Sequence, residues 1–502
     1  MLPAFLFLAM PMCALQSEEL AAESEQAKSL MAAHRFEDAI PLYRELLKSV
    51  PGNPGLLFNL GLAEHMAGRE ADSIPHLEAV LKAQPNFVPA LVSLGAARLA
   101  LNQPDQAVSP LRKAIAKDTA NRDARGMLAD ALTAAGRFDQ AAEQYRKLTE
   151  LSPDDPRAWY GLGNAYQSMA RGAFDRMQKV DPKSPYVLVL VADTRVQRRQ
   201  YRSAFFFYRE ALNRLPGVHG VHAAMAEVYR KTGHPEWAAT EDEKEQKLPA
   251  PDCKLHAAEC QFVGGHDLQA AEIPASGAPS LESLYWRSRA ANELALQAFF
   301  RLGELPPSVQ MHELKAQIAR DQNQHLESVK EWRAALELAP DDPHLHEELA
   351  ASLFLAADYR GAVAEAEKLL GAGAKSPELY FAAGDSLLRL EEPEKAVPYL
   401  AKALALDPKM LPAHASLGLA LSRTGKNAQA IPHLEKALDL DDDGSLHYQL
   451  ARALQASGQA ERARTVIAQY QDIVKKNEEQ KAEVAREAQI APPREDQIAP
   501  HQ

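Results

Sequence analysis

Apolar and small residues in this chain fall on two helical faces separated by a turn, and the pattern returns at a spacing of about 34 residues. The stretch from Pro377 to Met410 shows it most clearly. Tyr380, Ala383, Gly384 and Leu387 mark a first helix, and Ala396, Leu400 and Ala403 mark a second. Asp407-Pro408 closes the unit, because proline lacks an amide donor and cannot continue a helix. Such a pair cannot hide its apolar face alone, so copies must stack. Small residues recur at Ala39, Ser73, Ala107 and Ala141 in second helices and at Gly61, Gly95, Ala129 and Gly163 in first helices. There two backbones must approach, and a larger side chain would overpack the contact at about 1–3 kcal/mol.

Regular copies are expected at 20–53, 54–87, 88–121 and 122–155. The unit at 156–184 is too short for a full pair, so its second helix, around Ala173 and Phe174, is expected to be shortened. A similar short unit is read at 282–308: Ala298 and Phe299 lie 125 residues after Ala173 and Phe174, and Pro307 lies 125 after Pro182. That offset is read either as an internal duplication or as convergence at two bends. Between them, 185–251 carries further copies and 252–281 reads as an irregular joint, a degenerate helix pair with loose ends. Regular copies resume near 309, 343, 377, 411 and 444, with Ser328, Ala362, Ala396, Ala430 and Ala463 at the small positions. From Lys475 the charges alternate without an apolar stripe, which predicts a solvated capping helix, and APPREDQIAPHQ reads as a disordered end.

Trp159, Leu162, Gly163 and Tyr166 reproduce the W-x-x-L-G-x-x-Y signature of a tetratricopeptide first helix, and the chain from Leu20 to about Ile473 resembles that family. The resemblance implies an all-α fold, a right-handed α-solenoid of about 12–13 stacked helix-turn-helix pairs. It also implies a non-catalytic scaffold that needs no cofactor and holds a protein or peptide partner in a concave groove. In the family the groove is lined by fixed first-helix positions. Carried onto this chain, they select Phe58, Leu62, Met66, Val92, Ala96 and Leu99 as an apolar wall. Further along they select Tyr160, Asn164, Gln167, Tyr186, Asp193, Glu227, Arg230 and Lys231, a polar and aromatic set typical of selective surfaces. Members that clamp a carboxylate tail use a lysine where Tyr160 stands, so Asn164 lacks its companion. The run Phe205-Phe206-Phe207-Tyr208 cannot bury every ring on one helical face, and either neighbouring helices or a partner must enclose it.

Composition narrows the classes further. The 502 residues carry a net charge of −12 with no basic stripe, which argues against a nucleic-acid surface. Residues 1–16, MLPAFLFLAMPMCALQ, read as a secretory apolar run with cleavage near Ala14 or Gln16, although no Lys or Arg precedes it. The alternative is an apolar cap on the first repeat. No other stretch is apolar and long enough to span a membrane. Cys253 and Cys260, placed on one helix, would stand about 10 Å apart along its axis, beyond disulfide reach, and are expected as free thiols.

The histidines at 222, 312, 346, 414 and 447 occupy the Trp159 position of their repeats, so they are expected as packing residues at helix boundaries in separate units. HEELA at His346 and HELKA at His312 lack the second histidine of a zinc-protease helix. Cys253, His256 and Cys260 could offer three metal ligands, and Asp439, Asp441 and Asp443 match the first half of a calcium loop whose glutamate position holds Leu450. As turn and N-cap residues the same aspartates need no ion. No phosphate loop, dinucleotide fingerprint or nucleophile elbow is present. The function expected is a non-enzymatic scaffold or adaptor of a bacterial cell envelope, periplasmic or secreted. The alternatives are a metal-dependent protein using the cysteine or aspartate segment, and a spacer whose groove is filled by its own irregular segment.

Overall fold

The computed structural model of the chain describes residues 10–272, 280–487 and 489–493; their regular structure is helical, with no strand among them. Residues 1–9 of the expected leader lie outside the described residues, and Met10 already opens the first helix. The described residues form two compact units. One comprises the chain up to Ala173 with 264–276 and Trp286–Leu305; the other comprises Phe174–Val263, 277–285 and Pro306 onward.

In the first unit four antiparallel pairs follow one another: α1 (Met10–Ala32) with α2 (Phe36–Ser49), α3 (Pro54–Met66) with α4 (Glu70–Ala83), α5 (Val88–Ala100) with α6 (Pro104–Lys117), and α7 (Arg122–Ala134) with α8 (Phe138–Leu151). The turn inside each pair is made by one residue in the left-handed region: His34, Gly68, Asn102 and Gly136, each 34 positions after the last. Two of these pairs pack by the same knob. A Cβ added at Gly95 would come within 2.5 Å of Leu111, and one at Gly61 within 3.0 Å of Leu77, sixteen residues on in both cases. The missing side chain is the space that the leucine fills.

The next unit departs from expectation. α9 (Pro156–Val180) is one unbroken helix of 25 residues, not a helix with a shortened partner. Ala170, the position 34 after Gly136, continues the helix where the left-handed turn would fall. The place of the absent second helix is taken from far along the chain by α16 (Leu281–Gly303), likewise a single helix of 23 residues rather than a short pair. Within the first unit the Phe299 ring lies where a Gly163 side chain would be, and the buried Ser288 hydroxyl donates to the Ala170 carbonyl at 3.1 Å. Sequence offset alone does not reveal this swap, because both stretches keep a helical period throughout.

The second unit contains α10 (Pro185–Gln197), α11 (Tyr201–Arg214), α12 (Val221–Lys231) and α13 (Pro235–Lys247), then the short α14 (Ala257–Val263). The 252–281 stretch thus holds two short helices, α14 and α15 (Asp267–Glu272), the latter grouped with the first unit. Regular pairs resume with α17 (Val309–Asp321), α18 (His325–Leu338), α19 (Pro343–Leu355), α20 (Tyr359–Gly371), α21 (Pro377–Arg389), α22 (Pro393–Leu406), α23 (Leu411–Arg423) and α24 (Asn427–Lys436). α25 (Ser445–Ala456) and the 28-residue α26 (Ala460–Glu487) end the series. Left-handed turn residues again keep step at Asn323, Ala357, Glu391 and Gly425. Gly384 against Leu400 and Gly418 against Leu434 repeat the knob, at 2.6 and 2.7 Å for an added Cβ.

The Trp159 position carries a second recurring device. Its indole N–H donates to the carbonyl of Pro153, six residues back, at 2.8 Å. Arg125 does the same to Thr119, and Nε2 of His346 and His414 does so to Pro340 and Pro408 at 2.9 and 3.1 Å. A carbonyl only accepts, so each imidazole must present N–H there. The other ring nitrogen reaches nineteen residues on, to Glu365 from His346 and to His433 from His414. These histidines therefore tie together the start and the two helices of single repeats, each within its own unit.

Candidate functional site

The expected groove residues sort into three environments. In the first unit Phe58 is half-buried with its ring edge-on to Phe87 at 5.1 Å, and Leu62 and Val92 are also half-buried. Met66, 48% exposed at the end of α3, is the part of this wall that faces solvent. On α9, Tyr160 and Asn164 are half-buried and Gln167 is exposed.

In the second unit Tyr186 packs on Tyr285 at 5.0 Å, and the Asp193 carboxylate accepts from the Tyr208 hydroxyl fifteen residues on. Tyr145 and Asp130 make the same pair in the first unit, and burial, outweighing that bond, pushes the Asp130 carboxyl up. Asp193 thus serves its own repeat. Glu227, Arg230 and Lys231 form a surface cluster: Arg230 binds Glu227 at 3.0 Å and Asp242 at 2.8 Å, and Lys231 approaches Glu227 at 3.4 Å. The Arg230 hydrogen bond is the main reason the Glu227 carboxyl lies below its usual value.

Beside that cluster lies a face of which the sequence pointed only to the Phe205–Tyr208 run. Phe205 of α11, Tyr229 of α12 and Trp237 of α13 form a continuous ring contact, with centroids 5.7 and 5.6 Å apart. Arg209 stands over the Phe205 and Phe206 rings. Phe205 and Tyr208 are buried while Phe206 and Phe207 are half-buried, so neighbouring helices enclose part of the FFFY run. Beneath the rings His222 and Lys244 bind the buried Glu241 at 2.5 and 2.9 Å. Burial pushes the Glu241 carboxyl up, but the two hydrogen bonds outweigh it and hold the group below its ordinary value.

The chain's own end lies on this face. Residues 489–493 lie outside the helices, and the Tyr229 hydroxyl donates to the Ala491 carbonyl at 2.6 Å. Ala491, Pro492 and Pro493 close a cavity of about 70 Å³ against Phe205, Met225 and Tyr229. Residues 494–502 lie outside the described residues. Rings, a buried hydroxyl donor and a neutralised charge pair are recognition chemistry, suited to a backbone rich in carbonyls.

The metal readings change in detail. Cys253 and Cys260 are joined as a disulfide with Cα atoms 5.5 Å apart, not free thiols on one helix. α14 begins only at Ala257, so Cys253 sits in the preceding turn and the axial rise that would separate the pair does not apply. Their sulfurs are thereby removed as thiolate ligands. His256 remains beside Glu259 and Glu282, bonded to Glu282 at 2.7 Å, while Glu259 bonds His219 at 2.8 Å. In the other segment Asp441 accepts from the amides of Leu446 and His447 and from the His447 ring, and Asp443 accepts from the Ser445 amide. Asp439 is exposed in a short 3₁₀ turn. The aspartates at 441 and 443 act as turn and helix-start residues facing N–H donors.

Family models described as tetratricopeptide or TPR repeat match residues 24–87, 129–169, 348–410, 381–445 and 421–486. No curated protein matches the chain. Among solved structures, the chain is similar to the MamA protein (23% identity, TM-score 0.30, covering 39% of this chain and 92% of that one). It is similar to YrrB, titled a TPR protein with an unusual peptide-binding site (22%, 0.29, covering 32% and 84%). The Cut9 and Hcn1 complex of the APC/C is matched over 90% of this chain and 98% of that one at 14% identity and TM-score 0.28. No described helix is long and apolar enough to cross a membrane. Together with the 34-residue recurrence of turn and knob, the repeat matches place this chain in the tetratricopeptide repeat superfamily.

Proposed function

We propose that the protein is a non-enzymatic scaffold that binds an extended peptide or a protein partner on the surface of its helical repeats. One observation carries this reading: a non-helical, proline-containing segment already lies against α11–α13, with a buried tyrosine hydroxyl on its backbone carbonyl. Peptides bound without helix or strand keep free carbonyls, and a scaffold recognises them with side-chain donors and flat rings. The expected set at Phe58, Leu62, Met66, Val92, Tyr160, Asn164 and Gln167 is a further binding surface in the first unit. Tyr186, Asp193, Glu227, Arg230 and Lys231 belong to the second.

We also propose an exported protein working in a bacterial cell envelope, in the periplasm or beyond it. The Cys253–Cys260 disulfide supports an oxidising compartment, and the apolar run before Gln16 supports passage to it. Affinity capture from envelope extract tests the scaffold reading, comparing the natural chain with Phe58→Asp, Tyr160→Asp and Tyr229→Phe variants of unchanged helicity. Loss of the same partners in at least one variant is the expected result. An identical set of captured proteins in all four samples contradicts it.

A further inference from the structure

The last fourteen residues contain Gln-Ile-Ala-Pro twice, at 489–492 and at 497–500. The first copy is the one seated on α11–α13. Pro492 and Pro493 fix an extended backbone and lack N–H groups, so the segment offers mainly carbonyls and small apolar surfaces for recognition. The opposing face matches that chemistry. Tyr229 is only 1% exposed, is wedged between Phe205 and Trp237, and keeps its hydroxyl for the Ala491 carbonyl. Ile490 and Ala491 are half-buried there, alongside an open pocket bordered by Tyr201, Ser203 and His234.

We propose that the α11–α13 face recognises extended Ile-Ala-Pro segments and that the C-terminal copy occupies it in cis, blocking it to outside ligands. The inference rests on the peptide-binding reading and adds ligand class and regulation. A tethered ligand acts at an effective concentration on the order of millimolar, so self-occupancy weakens an outside peptide by roughly ten- to a hundredfold when its intrinsic Kd is about 10–100 µM. The second Gln-Ile-Ala-Pro, eight residues on, gives the same tether a replacement whenever the first leaves.

A fluorescein-labelled peptide copying residues 487–496 tests this by anisotropy against three proteins. They are the intact chain, a chain ending at Glu487, and a full-length chain carrying Ile490→Asp and Ile498→Asp. The expected result is saturable binding to the last two, at least about tenfold tighter than to the intact chain. Ile490→Asp alone should unblock the site only in part. Tyr229→Phe in the unblocked chain should weaken binding about five- to tenfold. Absence of saturable binding to both unblocked chains, with helicity retained, overturns the proposal, as does equal affinity for all three. A dimer of the intact chain that disappears with the tail moves the occupant to a second copy and overturns the cis arrangement. If the peptide fails while the Phe58 or Tyr160 variants still lose partners, the scaffold reading stands and this inference falls.

Discussion

The Nδ1 atoms of His414 and His433 lie 2.8 Å apart and join the two helices of one repeat. His414 presents Nε2–H to the Pro408 carbonyl, so with both rings neutral its Nδ1 accepts from His433. Burial first, then the neighbouring His414 and Lys436, holds His433 below the ordinary histidine value of 6.5. A histidine whose folded value is lowered adds stability that is full above the unfolded value and is lost as pH falls from there toward the lowered one. Melting curves of the natural chain and a His433→Gln variant should therefore converge on acidification below about pH 6.5. A stability gap that is the same at pH 5 and pH 7.5 contradicts the assignment.

The joint responds to pH in the opposite sense. Hydrogen bonds donated by the two rings to Glu259 and Glu282 are the main causes that raise His219 and His256 above 6.5. Their contribution is full below the unfolded value and is lost as pH rises through the raised folded ones. Limited proteolysis between Leu248 and Glu282 should speed up as pH rises above 6.5, and Glu259→Gln should remove part of that dependence. Cleavage that slows or stays constant would count against the two bridges.

The Cys253–Cys260 disulfide closes a short loop, for which chain entropy gives about 2–2.5 kcal/mol of local stabilisation. Non-reducing peptide mapping should find the two cysteines linked. Reduction should open the same stretch to protease while leaving the helical signal of the remaining repeats in place. Separate peptides bearing free Cys253 and Cys260 would contradict the structure.

Two glycine substitutions should have opposite signs. Gly384→Ala places a methyl group against Leu400 and should cost about 1–3 kcal/mol. Gly172→Ala adds one on α9 with nothing within 4 Å and should gain about 0.5–1 kcal/mol from helix propensity. Chemical denaturation midpoints check both.

Most of the repeat architecture was legible because period and residue size act locally: small residues at Gly61, Gly95 and Gly384 each answer a leucine sixteen positions on. What escaped depends on partners distant in sequence. α9 stays continuous because Phe299, more than a hundred residues later, covers Gly163. The disulfide is hidden because CKLHAAEC reads as one helix, whereas the helix begins at Ala257, four residues after Cys253. The tail reads as unfolded by composition, and the contact that seats Ala491 comes from Tyr229, 262 residues earlier. The duplicated Gln-Ile-Ala-Pro was the available clue. For the groove, family positions located Asp193 on a first helix, but its pairing with Tyr208 shows that this position also holds the repeat together.

The most direct test of a peptide-binding face on α11–α13 is hydrogen exchange, comparing the intact chain with the Ile490→Asp, Ile498→Asp double variant. Freeing the tail should speed exchange within 201–247, leave α17–α24 unchanged, and be reversed by excess synthetic Gln-Ile-Ala-Pro-Pro peptide. Identical exchange across 201–247 in the two chains, with or without peptide, would contradict the account.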